Sequence, residues 1–139
     1  MKQIILALFA LACSTGINAQ CDKSVVINSS KTEYLNEKDE VKKLVDEKTV
    51  IDISKNSITI SPESDHTMTG TILSATCDWK TSFKEGKTVL KASFEDQGKT
   101  KNVTLTIVGK EGKIYFLATF DDDPDKRIRV WADTFTEKH

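Results

Sequence analysis

His66 is the only histidine away from the carboxyl terminus, and it lies in Ser61-Pro62-Glu63-Ser64-Asp65-His66-Thr67 with Asp65 beside it. An Asp and a His together suggest a nucleophile, base and acid relay. Such a relay needs side chains converging from separate elements, and neighbours in one turn do not supply that. A solvated turn explains the composition equally well. Asp121, Asp122, Asp123 and Asp125 gather four carboxylates within five residues. Hard oxygen donors at that density suit calcium, which takes about 6–8 oxygens, and Asp121, Asp123 and Asp125 are the candidate ligands. The stretch lacks the central Gly and closing Glu of an EF-hand loop. A hydrated hairpin turn, its charge offset by Lys126, Arg127 and Arg129, is the competing reading.

Aromatic residues offer a different chemistry, recognition without reaction. Trp79 and Phe83 flank Lys80-Thr81-Ser82, and Trp131 falls on the outward phase of the last alternating segment. Aromatic side chains bury much area at little rotamer cost, so all three are candidate ligand- or partner-binding residues. Core or barrel-end packing competes for Trp79, which leaves Trp131 as the better surface candidate. Asn28-Ser29-Ser30 and Asn102-Val103-Thr104 fit the N-glycosylation pattern, a motif too short to decide anything.

The three cysteines are Cys13, Cys21 and Cys77. Cys13 belongs to an amino-terminal stretch that reads as a signal peptide over residues 1–19. Lys2 precedes the apolar run Ile4 to Ala12, and Ser14-Thr15-Gly16-Ile17-Asn18-Ala19 supplies small and polar residues for cleavage after Ala19. The apolar run falls short of the roughly 20 residues needed to span a bilayer. A lipoprotein anchored at Cys13 is disfavoured by Ala10, where a leucine is expected. Cleavage leaves Cys21 and Cys77, and two thiols in an exported chain suggest one disulfide. Alternatively Cys77 is a buried free thiol, since it sits on the apolar phase of its segment. The expected address is periplasmic or extracellular, in a bacterial style of signal.

The elements that must position these residues show themselves by alternation with a period of two from Val50 onward. Val50–Ser54 and Ser57–Ser61 flank Lys55-Asn56 as a hairpin, with Asn56 tolerant of positive φ. Thr69–Trp79 places Leu73, Ala75, Cys77 and Trp79 on one face, with a bend or bulge expected near Gly70. Lys87–Glu95 turns Leu90, Ala92 and Phe94 inward, and Asn102–Val108 does the same with Val103, Leu105 and Ile107. Ile114–Phe120 is apolar on both faces and should be central or covered on its second side. Lys126–Phe135 sets Ile128, Val130 and Ala132 against Arg127, Arg129 and Trp131. Short connections force neighbouring strands to run antiparallel. With one or two strands between Lys23 and Leu35, the expectation is a mainly β meander of about seven or eight strands, closed into a small barrel or a curved half-barrel. Asn36–Lys48 breaks the alternation. Val41, Leu44 and Val45 at helical spacing, Asn36 as N-cap, early acids and late lysines predict one short helix, with a strand through Val41–Val45 as the alternative. Residues 20–139 form a single domain on this reading. In outline the meander is similar to the lipocalin-like class, although the Gly-x-Trp usual near that class's first strand is missing.

Lys and Arg number 20 against 21 Asp and Glu, so the basic excess of a nucleic-acid-binding surface is absent. No nucleophile elbow or metal-ligand array is present to support an enzyme. The expectation is an exported non-catalytic binding protein without a cofactor. Its ligand would be a protein partner on its surface or a small apolar molecule in the barrel. An envelope-associated structural component and a carboxylate-based hydrolase are the alternatives, and no apolar segment of the mature chain is long enough to span a membrane as a helix.

Overall fold

The computed structural model describes Cys21 and residues 23–138. The expected signal peptide and Cys13 lie outside the described residues. Eight strands follow one another: β1 (Val25–Leu35), β2 (Val41–Ile53), β3 (Ser57–Pro62), β4 (Met68–Thr81), β5 (Glu85–Asp96), β6 (Lys99–Lys110), β7 (Lys113–Phe120) and β8 (Asp123–Glu137). Each pairs antiparallel with the next, and β8 returns to β1, closing the barrel. Closure satisfies backbone groups that an open meander would leave along its two outer edges.

Alternation decides which side chains fill the interior. Ile27, Ile51, Ile58, Leu105 and Ile107 are the largest fully buried residues, each on an inward phase. Removing each from water is worth about 1.5–3 kcal/mol, which is what locks the register, because a one-residue slip would expose a whole strand's apolar set. Of the inward sets expected for β5 and β6, Leu90, Ala92, Val103, Leu105 and Ile107 are buried, and Phe94 is half-buried against the core. The turns Gln97-Gly98 and Glu111-Gly112 both hold positive φ at their two residues, the twist that two-residue hairpin loops require.

Three local expectations are corrected. The segment 36–48 contains no helix. Asn36 does capture backbone N–H groups, with its Oδ1 accepting from Lys38 and Glu40 at 2.9 Å each. Those bonds close a tight turn, with Asp39 at φ 62°, from which β2 starts at Val41. An Asx side chain stabilises a turn by the same bond that would cap a helix. The narrow stripe of Val41, Leu44 and Val45 offered a helix little to bury, whereas β1 offers a full strand partner. Leu73 is not inward but 63% exposed. A register shift between Ile72 and Ser74 inserts it as an extra residue, so Ile72 packs toward the core above the bulge while Cys77 and Trp79 point inward below it. Asn56, in the β2–β3 turn, is not among the residues with positive φ.

Candidate functional site

Trp79, Gly86, Gly109 and Ile114 occupy one cross-strand row over β4 to β7. The indole lies against both glycines. A Cβ at Gly109 would fall 2.8 Å from Trp79 Cζ3 and 2.6 Å from Ile114 Cδ1, closer than side chains tolerate, so the small residue is what admits the ring. Trp79 is 3% exposed, and its Nε1 donates to Thr88 Oγ1 at 2.7 Å, which donates to Cys77 Sγ at 3.3 Å. That pair of bonds satisfies the one polar atom of the indole in a buried place. Phe135 sits 5.9 Å from Trp79 and 4.8 Å edge-on from Phe83. Trp79, Phe83 and Phe135 therefore plug the rim that carries the β4–β5 turn. The cavity beneath them, lined by Val25, Cys77, Leu90, Ile107 and Phe135 among others, measures about 30 Å³, the volume of one water molecule.

Trp131 takes the opposite phase and lies on the outside of β8, 39% exposed. Its Nε1 donates to Glu33 Oε1 at 2.7 Å, and Arg129 Nε donates to the same oxygen at 2.8 Å. The Arg129 guanidinium also stands 5.2 Å over the Trp131 ring and 5.7 Å over Tyr115, whose ring meets Trp131 edge-on at 5.2 Å. This cluster covers the second face of β7, as the apolar outer phase of that strand demanded. Across the ladder, Leu117 is opposite Arg129 and Leu44 is opposite Glu33, so apolar side chains flank a fixed ion pair. The sequence signal for this patch was only the phase of Trp131. Glu33 carried none, because its partners lie 96 and 98 residues away.

His66 Nδ1 meets Asp65 Oδ1 at 2.8 Å, and the His66 backbone N–H donates to the same oxygen at 2.7 Å. The backbone bond first, then the ring contact and its charge, hold the Asp65 carboxyl below the usual carboxylate range. Both residues are exposed, Ser64 gives its hydroxyl to Glu47, and Thr67 gives its hydroxyl to Ser61. Nothing there lends a nucleophile to the imidazole. Asp121 lies in the exposed two-residue β7–β8 turn, whereas Asp123 and Asp125 already belong to the exposed start of β8, and among the described residues no three His, Cys, Asp or Glu side chains converge to hold a metal ion. The cations expected to offset them are engaged elsewhere. Arg127 pairs with Asp39, Arg129 with Glu33, and Lys126 lies 4.8 Å over the Phe120 ring.

Cys21 and Cys77 form a disulfide with Cα atoms 5.8 Å apart, spanning 56 residues of sequence. It ties the segment before β1 to the middle of β4, directly beside Thr88 and Trp79. Disulfides persist in oxidising compartments. Among the described residues no helix is long and apolar enough to cross a membrane.

Fold and site together define a small closed up-and-down barrel, lipocalin-like in outline. No family model, curated protein or solved structure matches this chain.

Proposed function

We propose that this is an exported, non-catalytic binding protein that recognises a partner protein through the outer barrel face centred on Trp131. The carrying observation is the filled interior. The interior cavity of about 30 Å³ stands against the roughly 300–1,000 Å³ that small-molecule sites occupy, and the larger hollow of about 350 Å³ is lined by Ser24, Asp52, Ser54, Ser57, Thr59 and Lys138 with Ile53 as its one apolar residue, which weighs against an apolar cargo and moves recognition to the surface. There the Glu33–Arg129 pair holds Trp131 and Tyr115 in place before any partner arrives. A pre-ordered aromatic anchor loses little rotamer entropy on binding. The Cys21–Cys77 disulfide supports export to an oxidising compartment, and a bacterial periplasm or the surrounding medium fits the style of the leader.

Two measurements test this. Native mass spectrometry of the exported chain should give the bare polypeptide, and a reproducible small-molecule adduct would return weight to the carrier reading. Trp131→Ala should weaken binding of the partner recovered with the wild-type protein by at least about 2 kcal/mol, as expected for a central aromatic anchor. Its thermal midpoint should stay close to wild type. Unchanged affinity in that variant removes this face from consideration.

A further inference from the structure

β2 pairs with β1 along its whole length but with β3 only from Thr49 to Ile53. Just outside that ladder, the Glu63 N–H donates to the Lys48 carbonyl at 2.8 Å and Ser64 donates to the Glu47 carboxylate at 2.7 Å. Past these contacts, toward the β1–β2 turn, no strand among the described residues pairs with the β3-side edge of Val41 to Asp46. This lip presents backbone donors and acceptors in strand geometry, a template for one more strand. Its side chains are not the uniform charges that usually guard such an edge: Leu44 is 53% exposed and Val41 48%.

The charge order of the lip selects the occupant. Two identical strands joined edge to edge are related by a two-fold axis perpendicular to the sheet. Opposed residues then share a pleat phase, so the axis passes midway between one residue and its own copy. With the axis on Leu44, each Leu44 meets its counterpart and Lys42 faces Asp46 on both sides of it. An axis on Val45 gains Lys43 against Glu47 but sets Leu44 against Asp46 and Lys42 against Lys48. An axis on Lys43 sets Glu40 against Asp46. The Leu44 axis leaves Lys43 facing Val45, a neutral pairing, but it alone of the three joins apolar to apolar at its centre, sets opposite charges on both sides and brings no like charges face to face. We propose that the chain forms a symmetric dimer by antiparallel pairing of the β2 lip, residues 42–46, about Leu44. The register shift between Tyr34 and Leu35 makes Lys42 the extra residue of β2, so a bulge ends the regular run at that residue, and because both copies use the same edge the contact closes at two. The proposal goes beyond the Trp131 reading and does not depend on it.

Sedimentation velocity of the exported chain over a range of concentrations tests it. A reversible monomer–dimer equilibrium is expected. Lys42→Glu and Asp46→Lys should each raise the dissociation constant about tenfold, since two attractive cross-strand pairs become repulsive in the symmetric assembly. The double swap should restore the dimer, because the opposite charges face each other again. Leu44→Cys should be joined to its counterpart by a short bis-maleimide, whereas Leu73→Cys, more exposed still on β4, should not. A wild-type chain that stays monomeric into the millimolar range, a dimer indifferent to the swaps, or equal cross-linking of both cysteine variants would overturn the proposal. If a single swap impairs folding, read from loss of the near-ultraviolet signal of buried Trp79, the Leu44→Cys result decides.

Discussion

Trp79 and Trp131 are one residue type on two strands of one barrel, and pleat phase alone sends the first into the core and the second to the surface. The phase is enforced by neighbours. Trp79 fits inside because Gly86 and Gly109 leave the room a Cβ would take, and because Thr88 accepts its N–H. Gly109→Ala should therefore destabilise the barrel by about 1–3 kcal/mol, the usual cost of overpacking a core that cannot shift. Urea unfolding followed by tryptophan fluorescence would measure it. Trp131 is held from outside by Glu33, whose single oxygen Oε1 accepts from two donors. An arginine bonded to a half-buried carboxylate makes a stiffer frame than a free surface ion pair would.

Among the elements, β4 shows how one inserted residue redirects a strand. The bulge at Leu73 lets Ile72 face the core on one side while Cys77 and Trp79 face it on the other. Without the bulge, Cys77 and Ile72 could not both point inward. The expected consequence is an asymmetry between two apolar residues of similar size. Leu73→Ser should change the unfolding free energy by no more than about 0.5 kcal/mol. Ile58→Ala, at a fully buried position on β3, should cost about 2–5 kcal/mol. Chemical denaturation of both variants would separate them, and a large loss at Leu73 would contradict the placement of the bulge. β2 was misread for a related reason. Over eight residues, Val41, Leu44 and Val45 satisfy a helical stripe as well as a strand, and Asn36 serves either a cap or a turn. The choice fell to the strand partner, β1, which ends six residues before Val41 and pairs with it through the Asn36 turn.

At the scale of the whole molecule, the Cys21–Cys77 bridge staples the chain's start to its middle across a separation of 56 residues. Restricting the unfolded chain by a loop of that length should contribute roughly 4 kcal/mol, so the reduced protein or Cys77→Ser should unfold at a markedly lower urea midpoint. The barrel's other long-range closure, β8 onto β1, joins residues about a hundred positions apart, and with it come the Glu33 bonds that build the outer patch.

What the sequence determined by itself was the strand-rich class, the antiparallel meander and the inward sets of β5 and β6. Those depend on period-two alternation and on Gly-marked turns, both local signals that any short window of chain carries. The candidate disulfide was legible as a pair of cysteines, though not as a bond, since a thiol buried on an apolar phase reads the same way. The tertiary structure alone decided that the ring closes, that the interior is full, that Leu73 stands outside, and that Glu33 organises Trp131. Each of those turns on contacts between residues far apart in the chain, where packing volume and backbone pairing compete across the whole barrel and no local pattern records which contact wins.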